Sequence, residues 1–175
     1  MLTEVESGAL PASIDDLKAY LRIATADEDG MLERLLRSAG ALCEAFIGQW
    51  LIVREARETV AASAAWQRLS ARPVVAIEAI EAVGTGLPLT VGDYAIDIDP
   101  AGDGWVRVTR AGAAGMVRVT YRAGLAEAAA QVPEALRQGM VRLAAEHSIA
   151  RGTESAAPPA VVSALWRPFR RMRLK

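Results

Sequence analysis

The chain has 175 residues, of which 52% are hydrophobic and 23% charged, so it can form one domain with a buried core and a short appendage. The formal net charge of −1 argues against a general polyanion binder, and no apolar run approaches the roughly 20 residues needed to span a bilayer. The single cysteine, Cys43, excludes an internal disulfide and a multi-cysteine metal site, and the acidic N-terminus is unlike a signal peptide, so we expect a cytoplasmic product.

A short amphipathic helix is predicted near the N-terminus. Ser13 is a residue type favoured at helix N-caps, and Asp15 and Asp16 then lie in the first turn, where the helix dipole favours negative charge. Apolar residues follow at helical spacing as far as Ile23, where we expect the helix to end.

A longer second helix is predicted after an acidic turn over residues 25–30. Apolar residues recur at helical spacing from Met31 to Ile47, and Gly48 is a common residue type just past a helix end. Cys43 lies on this apolar stripe, so we interpret it as a buried, inert thiol rather than as a nucleophile.

The hydrophobic period changes from helical to alternating between residues 50 and 121, which indicates β-strands. Proline and glycine separate the strands, notably at Pro73 and over residues 84–86 and 100–104. We expect a small, mostly antiparallel sheet with the helices packed on one side, which makes the fold class α+β. The predicted strands cover residues 51–59, 67–70, 74–83, 93–98, 105–109 and 116–121.

One turn between strands contains the acidic sequence D-I-D-P-A-G-D-G over residues 97–104, which invites interpretation as a calcium site. A calcium loop of the EF-hand type needs oxygen ligands at its first, third and fifth positions and a bidentate glutamate at its last. Ala101 stands at the fifth position and Val108 at the last, and neither side chain supplies an oxygen. We therefore predict a β-hairpin whose tip holds no metal.

A third helix is predicted to begin at Pro133, a residue type that fits the first helical position because its missing N–H costs nothing there. Glu134 favours the positive end of the helix dipole, and the helix is expected to run to about Arg151 and Gly152. His147, the only histidine, lies on the apolar stripe of this helix. We interpret it as a core or interface residue, and no catalytic residue is assigned.

The chain is predicted to divide into a domain over residues 1–152 and a C-terminal segment over residues 153–175. Residues 153–159 are small and polar and include two prolines, which is typical of a linker. Two turns of helix over residues 160–166 are followed by a tail in which basic and aromatic residues are interleaved. A solvated tail has no use for large apolar side chains, so we predict that this segment binds a partner.

Four short motifs stand out: V-T-Y-R-A-G over residues 119–124, V-P-E-A-L-R-Q-G-M over residues 132–140, L-K-A-Y-L-R-I over residues 17–23 and A-F-I-G-Q-W-L over residues 45–51. They resemble the head–tail connector (adaptor, or head-completion) proteins of long-tailed phages and gene transfer agents. The order helix, helix, strands, helix also resembles that family across roughly residues 13–152. The sequence does not distinguish a phage or prophage from a gene transfer agent.

The resemblance implies a structural role. It implies an adaptor that forms a ring, by family resemblance a dodecamer, below the portal protein of a capsid and joins it to the next tail or stopper component. It also implies a central channel through which DNA passes without sequence-specific contact. The expected place is the head–tail junction of a particle assembled in the bacterial cytoplasm. We expect no enzymatic activity, no cofactor, no metal and no membrane partner.

The uneven distribution of charge suggests how copies of the chain would meet. Residues 1–60 carry eleven acids and six bases, whereas the residues from Leu136 onward carry eight bases and two acids. In a closed ring each subunit presents two different faces, so an acidic face can meet the arginines of a neighbour. The predicted subunit interface comprises Asp27, Glu28, Asp29, Glu33, Arg107, Arg110 and Arg118.

The C-terminal segment is the predicted portal-binding element, disordered in the single chain and ordered on assembly. Its predicted contact residues are Val161, Val162, Leu165, Trp166, Arg167, Pro168, Phe169, Arg170, Arg171 and Arg173. Trp166 and Phe169 are the expected anchors, since aromatic side chains dominate interface energies. The alternative is a small DNA-binding protein that uses the basic residues of this segment.

Overall fold

The computed structural model of the chain describes residues 2–5, 9–110, 115–149 and 157–171. The chain forms two compact units. Unit 1 consists of Met1–Gly8 and Val53–Leu125, and unit 2 consists of Ala9–Ile52 and Ala126–Lys175. The domain boundary predicted at residues 152 and 153 lies outside the described residues.

Unit 1 contains the strands, which form two sheets rather than the single sheet that we expected. The strands among the described residues are β1 (Leu2–Val5), β2 (Arg54–Ala61), β3 (Gln67–Arg68), β4 (Val74–Ala82), β5 (Tyr94–Ile98), β6 (Gly104–Val108) and β7 (Met116–Ala123). One sheet has the order β1-β2-β7-β4 and the other the order β3-β6-β5, with every pair antiparallel. Sequence reasoning did not identify β1.

The four-stranded sheet is built around β7. Val117, Val119 and Tyr121 are buried, and the residues between them along the strand are more exposed, which is the alternation expected when one face of a sheet covers a core. All eight residues of β2 pair with β7, so its register places Ala56 opposite Tyr121 and Glu58 opposite Val119.

A buried polar cluster connects this sheet to the loop before β4. The carboxylate of Glu58, only 4% exposed, accepts hydrogen bonds from the Ser70 backbone N–H at 2.8 Å and from the Tyr121 hydroxyl at 2.9 Å. The Tyr121 oxygen in turn accepts from the Ala71 N–H at 3.1 Å. The Glu58 carboxylate, the Tyr121 hydroxyl and both N–H groups of this cluster thus have partners, which offsets the cost of removing them from water.

The described part of unit 2 contains the α-helices α1 (Ile14–Leu21), α2 (Asp29–Ile47), α3 (Glu134–Ile149) and α4 (Ala160–Trp166). As predicted, Ser13 caps α1 by accepting from the Asp15 N–H at 3.1 Å. Gly48 ends α2 with φ 70°, a conformation that costs glycine little because it has no Cβ. The predicted end of α3 at Arg151 and Gly152 lies outside the described residues.

The core of unit 2 is almost purely apolar. Leu32, Leu36 and Cys43 of α2 pack with Leu136 and Met140 of α3, all of them buried. Helices and strands are segregated along the chain, so the predicted α+β fold class is confirmed. None of the described helices is long and apolar enough to cross a membrane.

Candidate functional site

The C-terminal segment begins with α4, whose apolar face is buried within unit 2. Trp166 is 0% exposed, and its indole N–H donates to the Leu136 carbonyl of α3 at 3.3 Å. The indole lies directly over Gly139, where an added Cβ would stand 2.2 Å from Nε1. On its other side the ring contacts Phe46 of α2, with centroids 5.8 Å apart and planes at 59°.

The residues after α4 run along the C-terminal end of α2. The Arg171 N–H donates to the Ile47 carbonyl at 3.0 Å, and Gln49 Nε2 donates to the Phe169 carbonyl at 2.8 Å. The guanidinium of Arg170 lies 5.5 Å from the centroid of the Phe46 ring. Positive charge is favourable here because the last carbonyls of a helix carry partial negative charge.

This packing corrects part of the predicted portal-binding surface. Val162 and Trp166 belong to the core of unit 2 and are not accessible to a partner in this conformation. Leu165 and Phe169 are half-buried against the same core, whereas Val161 is 57% exposed. The other exposed predicted residues are Arg167, Pro168, Arg170 and Arg171, and Arg173 lies outside the described residues.

The predicted acidic surface lies on the turn before α2 and on its first two turns. Asp27, Glu28 and Glu33 are exposed and have no base as a partner among the described residues. Asp29 differs, because its carboxylate binds the Lys18 ammonium of α1 at 2.8 Å. Asp29 is therefore already paired within its own chain, and the other three predicted carboxylates remain available.

The predicted arginines do not form one cluster. Arg107 lies on β6 of the three-stranded sheet, and Arg110 follows that strand. Arg118 instead lies on β7 of the four-stranded sheet, opposite Thr59 on one side and Glu81 on the other. Glu81 places a carboxylate beside Arg118, whereas Arg107 has none opposite it, since its partner in register is Ala95.

Sequence reasoning missed an aromatic residue beside Arg107. The guanidinium carbon of Arg107 lies 4.7 Å from the centroid of the Trp66 ring, a distance typical of a cation–π contact. Trp66 is 43% exposed, which is unusual for so large an apolar side chain. The only sequence signal is the alternation W-x-R at 66–68 and W-x-R at 105–107, on two strands that prove to be neighbours.

The aspartate-rich sequence over residues 97–104 forms part of a hairpin, as predicted, with β5 and β6 paired through five residues. Asp99 uses its carboxylate within the chain: Oδ1 accepts from the Ala101 and Asp103 N–H groups at 2.9 and 3.0 Å. Its Oδ2 accepts from the Trp105 indole at 3.2 Å. In the part of the chain that the structure describes, no group of three or more metal-ligating side chains could hold an ion.

Cys43 and His147 were the other residues with potential chemistry. Cys43 is fully buried in α2, and burial raises the pKa of its thiol far above the ordinary range, with the nearby Glu44 carboxylate adding to the rise. A thiol that stays protonated is a poor nucleophile. His147 is half-buried on α3, in agreement with its interpretation as a core or interface residue.

Unit 2 also has a groove of about 480 Å³ between α1 and α3. Two acids and two arginines line it, and Arg137 donates to Glu134, so opposite charges neutralise each other instead of converging on one ligand. The charged lining residues are Asp16, Glu134, Arg137 and Arg142. The predicted residues that remain exposed are therefore candidates for contacts with other macromolecules.

Comparisons with known proteins support this conclusion. The model of the family described as "Head completion protein" matches residues 12–149. A chain from the neck of an empty gene transfer agent (GTA) particle, computed with C6 symmetry, is 25% identical with a TM-score of 0.79. Chains from a native GTA virion and from a native GTA neck computed with C12 symmetry are 27% and 26% identical, with TM-scores of 0.77 and 0.76.

Each of these three alignments covers 100% of this chain and 97% of the other. A search of curated proteins found none that matches the chain.

Proposed function

Because this chain belongs to the head completion protein family, we propose that it is a structural adaptor at the head–tail junction of a gene transfer agent or phage particle. The observation that carries the proposal is the agreement over the whole chain with subunits of GTA necks. Both units and the C-terminal segment are covered by that agreement, so the role is assigned to the complete fold and not to one motif. The function resides in surfaces, and we assign no catalytic residue.

The adaptor acts as a ring of identical copies. Related necks were computed with sixfold and twelvefold symmetry, and we propose a dodecamer for this chain. In a closed ring, one surface of each copy meets a different surface of the next. Exposed ion pairs contribute only about 0–1 kcal/mol each. A ring held partly by such pairs would therefore close on a template, and high salt should weaken it.

The portal protein is the proposed template, and the exposed face of the C-terminal segment is the proposed contact. Val161 and Arg167 are exposed on α4 and just beyond it, and Arg170 and Arg171 continue the basic surface. These three arginines and one valine, exposed on one short segment, would bind a partner surface that is acidic around an apolar centre. The next tail component would then contact another face of the ring, around a channel for DNA.

A DNA-binding protein is the weaker alternative. It would rely on arginines interleaved with accessible aromatic side chains in the C-terminal segment. Trp166 is instead buried, and Phe169 is packed against the core of unit 2. The aromatic residues of this segment thus hold it to its own chain.

Deletion and complementation test the proposed function. In the strain that encodes this chain, deletion should leave heads and tails that form separately and do not join, and the wild-type chain should restore joined particles. Val161→Glu with Arg167→Glu should fail to restore joining although the chain folds normally. Arg142→Glu, an exposed change on α3, serves as the matched control. Normal joined particles in the deletion strain would reject the adaptor role.

A further inference from the structure

One face of the three-stranded sheet combines tryptophan and arginine in a way that the proposed function does not yet use. Val106 and Val108 of β6 point into unit 1, so Trp105 and Arg107 lie on the opposite face. Register places Arg68 of β3 beside Trp105, and the Arg107 guanidinium stacks on Trp66. We call this surface the Trp66 face; it comprises Trp66, Arg68, Asp97, Trp105 and Arg107.

The charge of Arg107 is not balanced within the described residues. Arg68 and Arg72 both bind Asp103, at 3.5 and 3.3 Å, so the neighbouring arginines have a carboxylate. Arg107 has no ion pair in the described ranges, and its Nε is buried without a hydrogen-bond acceptor. An incoming carboxylate would neutralise this charge, and hydrogen bonds between a guanidinium and a carboxylate are among the stronger ones.

The composition of this face is that of an interface centre. Tryptophan and arginine are the residue types that contribute most when interfaces are truncated residue by residue. Trp66 keeps nearly half of its surface exposed, and the planar guanidinium above it is held ready to bind a carboxylate through two N–H groups.

The chain itself carries a segment of matching chemistry. Asp27 and Glu28 are adjacent, exposed and without a basic partner among the described residues, at the N-terminal end of α2. Lys18 holds the neighbouring Asp29 and thereby fixes the turn. We call Asp27 and Glu28 the acidic turn.

We propose that the Trp66 face binds the acidic turn of a second copy of this chain, with Arg107 and Arg110 contacting the carboxylates and Trp66 packing against the turn. The inference rests on the proposed ring, in which the surfaces that meet must differ. The proposed contact joins the Trp66 face, in unit 1 of one copy, to the acidic turn of the next copy.

An acidic protein segment fits this face better than DNA does. Asp97 is exposed on the same face, opposite Trp105, and Asp99 lies beside the Trp105 indole. A short turn holds its two carboxylates close together, so they can converge on the one basic position of Arg107. A phosphate backbone is an extended line of negative charge that would meet these acids as well.

Charge exchange between two variants of the full-length chain tests the contact. Sedimentation equilibrium at low and high salt measures self-association of the wild type, of Arg107→Glu, and of the double variant Asp27→Arg with Glu28→Arg. In each variant alone, the Trp66 face and the acidic turn carry charges of the same sign. The association constant of each variant should therefore fall at least about tenfold. An equimolar mixture should recover wild-type association, because every contact in an alternating array then joins opposite charges.

Two further variants separate this surface from general charge effects. Trp66→Ala should weaken association at both low and high salt, since its contribution is packing. Arg142→Glu, an equal charge change at an exposed position of α3, should leave association unchanged. Circular dichroism checks that each variant is folded, and Arg110→Glu replaces Arg107→Glu if the latter is not.

Failure of the mixture to recover, or an Arg142→Glu defect equal to that of Arg107→Glu, would overturn the proposal. So would a wild-type chain that stays monomeric at about 1 mM in low salt, where even weak contacts are populated. Loss of duplex-DNA binding by Arg107→Glu with unchanged self-association would assign the face to nucleic acid instead. Any of these results, with the chain still present in particles, would reject this contact and leave the adaptor role standing.

Discussion

Two tryptophans next to arginines, one in each unit, have opposite surroundings. Trp166 of unit 2 is fully buried, with its N–H bonded to α3 and its ring over Gly139. Trp66 of unit 1 is 43% exposed and is covered on one side by the guanidinium of Arg107. The first holds a segment to its own chain, and the second is available to another chain.

The difference lies in what each indole can contact within its own unit. A glycine on the facing helix lets the whole indole of Trp166 reach the backbone of α3, so its polar and apolar atoms are both satisfied. Trp66 precedes a strand of only two residues on a small sheet, and the described residues of unit 1 leave it 43% exposed. An aromatic residue among basic residues therefore indicates binding only when its own fold leaves it exposed.

The largest expected effect separates the two tryptophans by stability. Trp166→Ala should lower the free energy of unfolding by about 3–5 kcal/mol, because it empties a buried site. Trp66→Ala should lower it by less than about 1 kcal/mol, since it removes one exposed cation–π contact. Chemical denaturation of both variants measures the difference. Equal losses would contradict the contrast between them.

A second change tests why Trp166 is buried. Gly139→Ala would bring a Cβ within 2.2 Å of the indole nitrogen, so α4 must shift, at a cost of about 1–3 kcal/mol. Gly30→Ala is the matched control, because the nearest atom to its added Cβ is 3.9 Å away. There the change should be within about 1 kcal/mol and in the stabilising direction. A tolerated Gly139→Ala would show that α4 does not depend on this contact.

Much of the fold could be predicted because it depends on neighbours in sequence. Ser13 and Gly48 mark helix ends by their own conformational preferences, and α4 and the β5–β6 hairpin were identified from short patterns. β1 was missed because it is defined by pairing with β2, some fifty residues later. The division into two sheets likewise depends on distant pairings.

The binding surfaces were harder to predict for the same reason. Trp166 looked accessible because its arginine neighbours are adjacent in sequence. Its contact with Gly139 is not visible there, because Gly139 lies much earlier in the chain, on α3. The Trp66 face exists only when β3 pairs with β6, which brings residues 66 and 107 together. Arg107 was singled out by its charge, but its aromatic partner could not be seen.

A third test concerns the interior of unit 1, which is polar where that of unit 2 is apolar. Tyr121→Phe removes the hydroxyl that joins Glu58 to the Ala71 N–H, so it should lower the free energy of unfolding by about 1–3 kcal/mol. Burial raises the pKa of Tyr121 well above its ordinary value, and the Glu58 charge adds to the rise.

The sign of the pH dependence follows from that rise. The folded chain keeps the Tyr121 proton when the unfolded chain loses it, so this stability is present below about pH 10 and is lost as the pH rises further. The gap in stability between the wild type and Tyr121→Phe should therefore narrow above about pH 10. A constant gap in denaturation experiments from neutral to alkaline pH would contradict the burial of a neutral phenol.

The smallest expected effect is that of calcium on the melting temperature. Calcium should leave the melting temperature unchanged, because the Asp99 carboxylate beside the Trp66 face is already occupied by N–H donors of its own turn. A ligand that binds only the folded chain must stabilise it. A rise of several degrees at micromolar calcium, and not with magnesium, would make this turn a metal site.

The adaptor role itself is tested most directly by quantitative mass spectrometry of purified particles. We expect this chain to co-purify with particles in a fixed ratio to the portal protein, at the twelve copies that one ring of twelvefold symmetry requires. The ratio should persist through repeated purification, and heads without tails should show whether the ring arrives before the tail. A chain that is absent from purified particles, or present in amounts that vary between preparations, would contradict a place in the neck.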